Sequence, residues 1–182
     1  NTKNTTNRTK MGKKKGLKEI HFIGHNMGRT ITTQSLLETG LDAINTIRLY
    51  DFLADKKSFL RKFYKRYNKI FRKNIKIYPY KMASKKFILP EIDKKENVYP
   101  SIISNWDHSP RSGREAMILT DSNPEIFEEH VKEAVEIVKD KSEEHKIIFI
   151  KSWNEWAEGN YMEPDQRWGL KFLEALKRQV VR

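Results

Sequence analysis

Two glutamates, Glu155 and Glu158, stand three residues apart in the run Trp153-Asn154-Glu155-Trp156-Ala157-Glu158-Gly159. On a turn leaving a buried strand, two carboxyl groups at that spacing can point into one pocket. Cleavage of a glycosidic bond needs such a pair: one carboxyl protonates the departing oxygen while the other assists attack. Trp153 and Trp156 offer flat apolar faces to sugar rings, and Asn154 offers an amide to their hydroxyl groups. Tyr161 and Glu163 follow in the same run and complete this candidate substrate-binding set. For a bare Glu-x-x-Glu the plain alternative is a surface helix with two solvated acids. The Asn, the two Trp and the Gly around this pair favour a site.

A second group is Asn105-Trp106-Asp107-His108-Ser109-Pro110-Arg111, just past an expected strand. Functional residues of parallel α/β proteins gather at the C-terminal ends of strands, and both motifs sit there. Trp106 and Asp107 are candidate sugar contacts, and Arg111 suits bidentate capture of a carboxylate or phosphate. Asp107 and Arg111 could equally clamp their own loop, and the residues do not choose between these roles. His21 and His25 fall on one side of an expected strand but have no third ligand nearby in sequence. Glycine-rich phosphate loops, zinc patterns and serine-nucleophile elbows are absent. Neither a metal nor a cofactor is expected.

The elements that must position these residues alternate in type. Residues 1–16 read as a flexible basic lead-in, and residues 17–182 as one domain. Strands are expected at Leu17 to Ile23, Ala43 to Tyr50 and Val98 to Ser104, and again at Lys146 to Ser152. Ile75 to Tyr80 reads as a short strand or extended turn. Helices are expected at Thr32 to Thr39, Lys56 to Lys73, from Pro124 onward, and at Asp165 to Val180. Ser122-Asn123-Pro124-Glu125 is a helix start, with a capping residue and then proline in the first turn. The Lys56 to Lys73 helix gathers Phe59, Leu60, Phe63, Tyr67, Ile70 and Phe71 on one face, with Lys and Arg on the rest. It reads either as an outer helix with a solvated basic face or as a contact for a membrane surface or acidic partner. Repeated strand and helix predict an α/β fold with a parallel sheet. About four units fit, whereas a complete eightfold barrel takes around 250 residues.

Ser152 to Pro164 closely resembles the C-terminal signature of the WbsX-type domain. That family is often labelled a glycosyltransferase of surface-polysaccharide clusters and is related to glycoside hydrolase family 99. The family pattern Trp-Asn-Glu-Trp-Ala-Glu-Gly, then Glu-Pro-Asp, then a helix, matches Trp153 to Gly159, Glu163 to Asp165 and Trp168 onward. His108 stands where the family usually has Asn. The resemblance implies the C-terminal part of an incomplete (β/α)8 barrel of TIM type acting on a glycan, with a retaining mechanism. In that mechanism Glu155 would draw a proton from the sugar 2-hydroxyl, which then attacks the anomeric carbon. Glu158 would act as general acid and then as general base. It also implies a missing N-terminal half-barrel as partner. Open sheet edges would then leave this chain alone poorly soluble, oligomeric or inactive.

Composition bounds the alternatives. With 37% hydrophobic and 11% aromatic residues in 182, the chain carries one core and is no disordered tail. No Cys is present, which excludes disulfides and cysteine-based zinc sites. No apolar run reaches the roughly 20 residues of a membrane helix, and the polar N-terminus is not a signal peptide, so a cytoplasmic place is expected, with peripheral membrane contact left open. The net charge of +12 favours anionic partners or reflects a lysine-rich proteome. Three function classes follow: a glycosidase-like enzyme, a polysaccharide glycosyltransferase, and an inactive fragment or binding module for anionic partners. Nucleic acid is not the expected partner.

Overall fold

The computed structural model describes residues 16, 20–26, 33–54, 57–71 and 75–181. Nearly all of the expected lead-in, residues 17–19 of the expected first strand, and the ends of the expected basic helix lie outside that set. The first half of the chain gives β1 (Ile23–Asn26), α1 (Thr33–Leu37), β2 (Ala43–Thr46), α2 (Phe59–Phe71), β3 (Lys76–Pro79), α3 (Tyr80–Ser84) and α4 (Pro90–Asp93). Next come β4 (Val98–Ile102), β5 (Trp106–Asp107), α5 (Ser109–Ser112), β6 (Met117–Thr120) and α6 (Pro124–Val138). The chain closes with β7 (Phe149–Ile150), β8 (Asn154–Glu155), β9 (Asn160–Tyr161) and α7 (Lys171–Val180).

Strands β1, β2, β4 and β7 form one parallel sheet in that order. Each later strand adds to the same edge, so the order never reverses as it does in doubly wound folds. Progressive winding of this kind is compatible with part of a (β/α)8 barrel wall. The alternation is not strict, however. Strands β3, β6 and β5 build a second, mixed sheet, and β8 and β9 a separate hairpin.

Strand β4 is the centre of the molecule, buried along its whole length. Side chains alternate across a strand and its continuation, so neighbouring residues serve different layers. Ile102 belongs to one core cluster with Phe127, Val131 and Ala134 of α6 and Phe172 and Ala175 of α7. Ile103, on the opposite side, joins Tyr80, Phe87, Trp106, Met117 and Leu119. The α6 start behaves as its residues dictate: the Asn123 side chain accepts from the Ile126 N–H at 2.9 Å, with Pro124 in the first turn. Beneath β2, fully buried Asp93 receives Arg48 at 2.6 Å and Thr46 Oγ1 at 3.0 Å, pinning α4 to the sheet.

Several expected boundaries move. Strand β1 runs through Gly24 instead of stopping before it, and β2 ends at Thr46 because Arg48 turns in to Asp93. Helix α7 starts at Lys171, not near Asp165. The Asp165 side chain caps the Trp168 N–H at 2.5 Å, and Gly169 takes a positive φ of 55°, so that stretch is a turn. The largest difference is α2. It rests on the body through Arg61, Tyr64 and Asn68: Asn68 Nδ2 donates to Ile77 O at 2.9 Å, and Arg61 Nη1 to Leu53 O at 3.2 Å. The apolar stripe from Phe59 to Phe71 is the exposed one.

Candidate active site

The two motifs meet. Past β4 the chain forms the loop that carries Trp106, Asp107 and Arg111, and hairpin β8–β9 lies directly against it. Asn105 Oδ1 accepts the Tyr161 N–H at 2.9 Å, and Asn105 O accepts from Asn160 Nδ2 at 2.9 Å. Asn160, only 1% exposed, also accepts from Ser152 Oγ at 2.5 Å, while Ser104 Oγ donates to Tyr161 O at 2.5 Å. Met162 anchors the hairpin in the α6–α7 core.

Gly159 is required twice over. Its φ is +49°, and a β-carbon there would stand 2.7 Å from Asp107 Cβ and 2.8 Å from the Asp107 nitrogen. Only glycine lets the hairpin turn and lets the loop pass beneath it.

Glu155 lies on β8 and Glu158 on the tight turn Trp156–Glu158 between the two strands. Both carboxylates share one guanidinium: Arg111 Nη1 reaches Glu158 Oε1 at 2.8 Å, and Nη2 reaches Glu155 Oε1 at 3.2 Å. Lys151 Nζ holds the other Glu158 oxygen at 3.4 Å, and His108 Nε2 lies 3.8 Å from Oε1. Glu158 is the more enclosed acid, with its side chain 15% exposed against 37% for Glu155. Two cations thus face two carboxylates at a partly exposed site, where solvent keeps such pairs modest in energy. Arg111 can hold this place because Asp107 Oδ1 accepts the Ser109 N–H at 2.9 Å, fixing the start of α5.

Aromatic side chains share the hairpin and the loop with the acids. Trp156 stacks on Tyr161 with ring centres 4.1 Å apart and donates its indole N–H to Glu163, which Asn154 Nδ2 also approaches at 3.4 Å. Burial, followed by the charge of Asp165, raises the Tyr161 phenol above its ordinary pKa. Trp153 and Trp156 are each half exposed. Trp106 is buried between His108, stacked at 5.6 Å, and Lys151, whose ammonium sits 5.6 Å over the ring. Its indole Nε1 is buried with no hydrogen-bond partner among the described residues. A cleft of about 560 Å³ is lined by Trp106, Asp107, Trp156, Tyr161, Asp121 and Trp168, a volume in the range of small-ligand sites. The two glutamates are not in its walls; they stand on the Arg111 side of the same hairpin.

The model of the glycosyltransferase WbsX family matches residues 1–176. The chain belongs to that family. Two relatives, both named "Uncharacterized protein WxcX", come from Xanthomonas campestris pv. campestris, strains B100 and ATCC 33913. Each is 31% identical over 86 residues, 47% of this chain and 12% of the relative, so the matched part is a small share of those proteins. No solved structure matches the chain. The family's name points to a carbohydrate-active enzyme.

Within this WbsX-family chain, the sequence motifs account for the acid pair, Arg111 and the aromatic walls, but not for Lys151, His108, Asp121 or Trp168. Asp121 is the one non-glycine residue with positive φ, 61°, among the described residues, and it ends β6 at the cleft. Strain of that kind gathers at working sites. No strand is expected from the sequence at β6, so the strand-end rule had nothing to act on there. The two expected strand histidines part company. His21 precedes β1 and meets the Tyr99 hydroxyl at 3.1 Å, while His25 Nδ1 meets Asn45 at 2.8 Å. Among the described residues no three His, Cys, Asp or Glu stand close enough to hold a metal ion, and no helix is long and apolar enough to cross a membrane.

Proposed function

We propose that this domain cleaves or transfers a glycosidic bond with Glu155 and Glu158 as its acid/base pair. One observation carries the reading: a single guanidinium, Arg111, bridges both carboxylates, which keeps them together on the hairpin whose Trp156 and Tyr161 line an aromatic-walled cleft. Sugar rings stack on indole faces, and the half-exposed Trp153 and Trp156 supply such surfaces.

In the retaining route, Glu158 takes up a proton from solvent as substrate entry parts it from Arg111 and Lys151; Glu155 then removes the proton of the sugar 2-hydroxyl as that oxygen attacks the anomeric carbon, and Glu158 protonates the departing oxygen. Glu158 then deprotonates the incoming acceptor, which opens the intermediate, and the 2-oxygen recovers its proton from Glu155. Arg111 must release the carboxylates as substrate enters, and it then lies where it can hold an anionic group on the glycan. The acceptor decides the outcome. Water gives hydrolysis; a sugar hydroxyl gives chain extension, the reading that the family's name favours.

The test is turnover by the intact enzyme of a panel of glycans and of nucleotide-sugar donors. Glu155→Gln and Glu158→Gln should each lower turnover about 10²–10⁴-fold with folding intact. Unchanged turnover in either variant overturns the assignment, and nucleotide release without glycan cleavage selects transfer over hydrolysis.

A further inference from the structure

Helix α2 has an unusual placement. Its contacts with the body run through Arg61, Tyr64 and Asn68, a narrow edge of the cylinder. On one side of that edge lie Phe59, Leu60, Phe63, Tyr67, Ile70 and Phe71, from 37% exposed at Tyr67 to 78% at Phe59. On the other side lie Lys62, Lys65, Arg66 and Lys69, and the helix contains no acidic residue. At 3.6 residues per turn the apolar and basic arcs barely overlap. The rings are already ordered: Phe63 stacks on Tyr67 at 6.2 Å, and Tyr67 meets Phe71 at 5.1 Å. Beside Leu60, a cleft of about 440 Å³ adds Lys81, Lys85 and Lys86 from α3 and its exit to the basic rim. The cleft on the other flank, next to Phe63 and Tyr67, includes Asp121.

We infer that α2 is an interfacial anchor that seats the domain on an anionic phospholipid bilayer. A contiguous apolar stripe of this size open to water marks an interaction surface. Charge complementarity selects the occupant: Lys and Arg stems lie along the boundary of an aromatic wedge, the pattern by which a helix in the interface plane buries its rings among acyl chains and sets its cations among headgroups. The net charge of +12 reinforces the same attraction. This inference does not rest on the glycan reading.

Flotation of the full chain with vesicles tests it, comparing phosphatidylcholine alone with phosphatidylcholine containing about 30% phosphatidylglycerol. Binding is expected only with the anionic vesicles, and it should weaken at least tenfold in high salt. Phe63→Asp with Ile70→Asp should abolish binding while thermal unfolding stays cooperative and shifts only slightly. Phe59→Trp should bind as the wild type does, with indole emission moving to shorter wavelength on the vesicles. Equal binding to both vesicle types, binding to neither, or full binding by the double variant overturns the inference. So does self-association without lipid that the double variant removes, which would make a second copy of the chain the occupant.

Discussion

Hairpin β8–β9 and helix α2 both carry aromatic rings to the surface, and they are held there in opposite ways. The hairpin is stitched to the Asn105–Arg111 loop by directional bonds through Ser104, Asn105, Ser152 and Asn160, and by the glycine contact with Asp107. Its exposed rings are therefore fixed relative to Glu155, Glu158 and Arg111. Helix α2 meets the body along one edge and leaves six apolar side chains in solvent. Rings in a polar lattice make a site with defined geometry. Rings on a loosely seated helix make an adhesive surface, where position matters less than composition.

Substitutions can break or sharpen that contrast. The largest effect is expected at Gly159. Gly159→Ala forces a β-carbon into Asp107 at a left-handed position and should cost about 3 kcal/mol, read as a lower denaturant midpoint, with activity lost in parallel. Acidification should come next. His130 lies behind Ile103, whose N–H it accepts at 3.4 Å, and burial lowers its pKa from 6.5 to about 3. The folded state disfavours the charged ring, so stability is whole above pH 6.5 and falls as pH drops toward 3. About 2 kcal/mol should go between pH 6.5 and 5. Denaturation at several pH values should show this slope, and His130→Gln should flatten it. Asn160→Ala, which orphans its partners at the hairpin base, should cost about 1.5 kcal/mol by thermal melting. The smallest change belongs to the helix: Phe63→Asp and Ile70→Asp should each shift stability by about 0.5 kcal/mol or less. A loss of several kcal/mol there would mean that the stripe packs inward after all and would dissolve the contrast.

The same contrast explains what the sequence made legible. The candidate site residues could be grouped from sequence because their spacing is local: Glu155 and Glu158 share one hairpin, Trp106, Asp107 and Arg111 share one loop, and both runs leave strands. Asn123 and Pro124 likewise announce α6 with bonds made within a few residues. By contrast, periodicity in α2 showed which residues share a face but not which way that face points. That depends on Asn68 meeting Ile77 and Arg61 meeting Leu53, contacts made only once the chain has folded. The parallel wall was legible from alternation. The second sheet was not: β3 is expected as a short strand or extended turn, but alternation does not say which strands pair, and β5 joins β6 antiparallel. The pairing of Lys151 and His108 with Glu158 was likewise hidden, since Glu158 is positioned by the hairpin and not by sequence distance.

The central claim is that Glu155, Glu158 and Arg111 act as one unit on a glycosidic bond. A double-variant cycle on glycan turnover tests it most directly, comparing Glu155→Gln, Glu158→Gln and the pair combined. Residues working in one step are strongly non-additive, so the combined variant should lose no more than about tenfold beyond the worse single one. Single variants that turn glycan over at the wild-type rate would contradict the account, as would two losses that multiply in full.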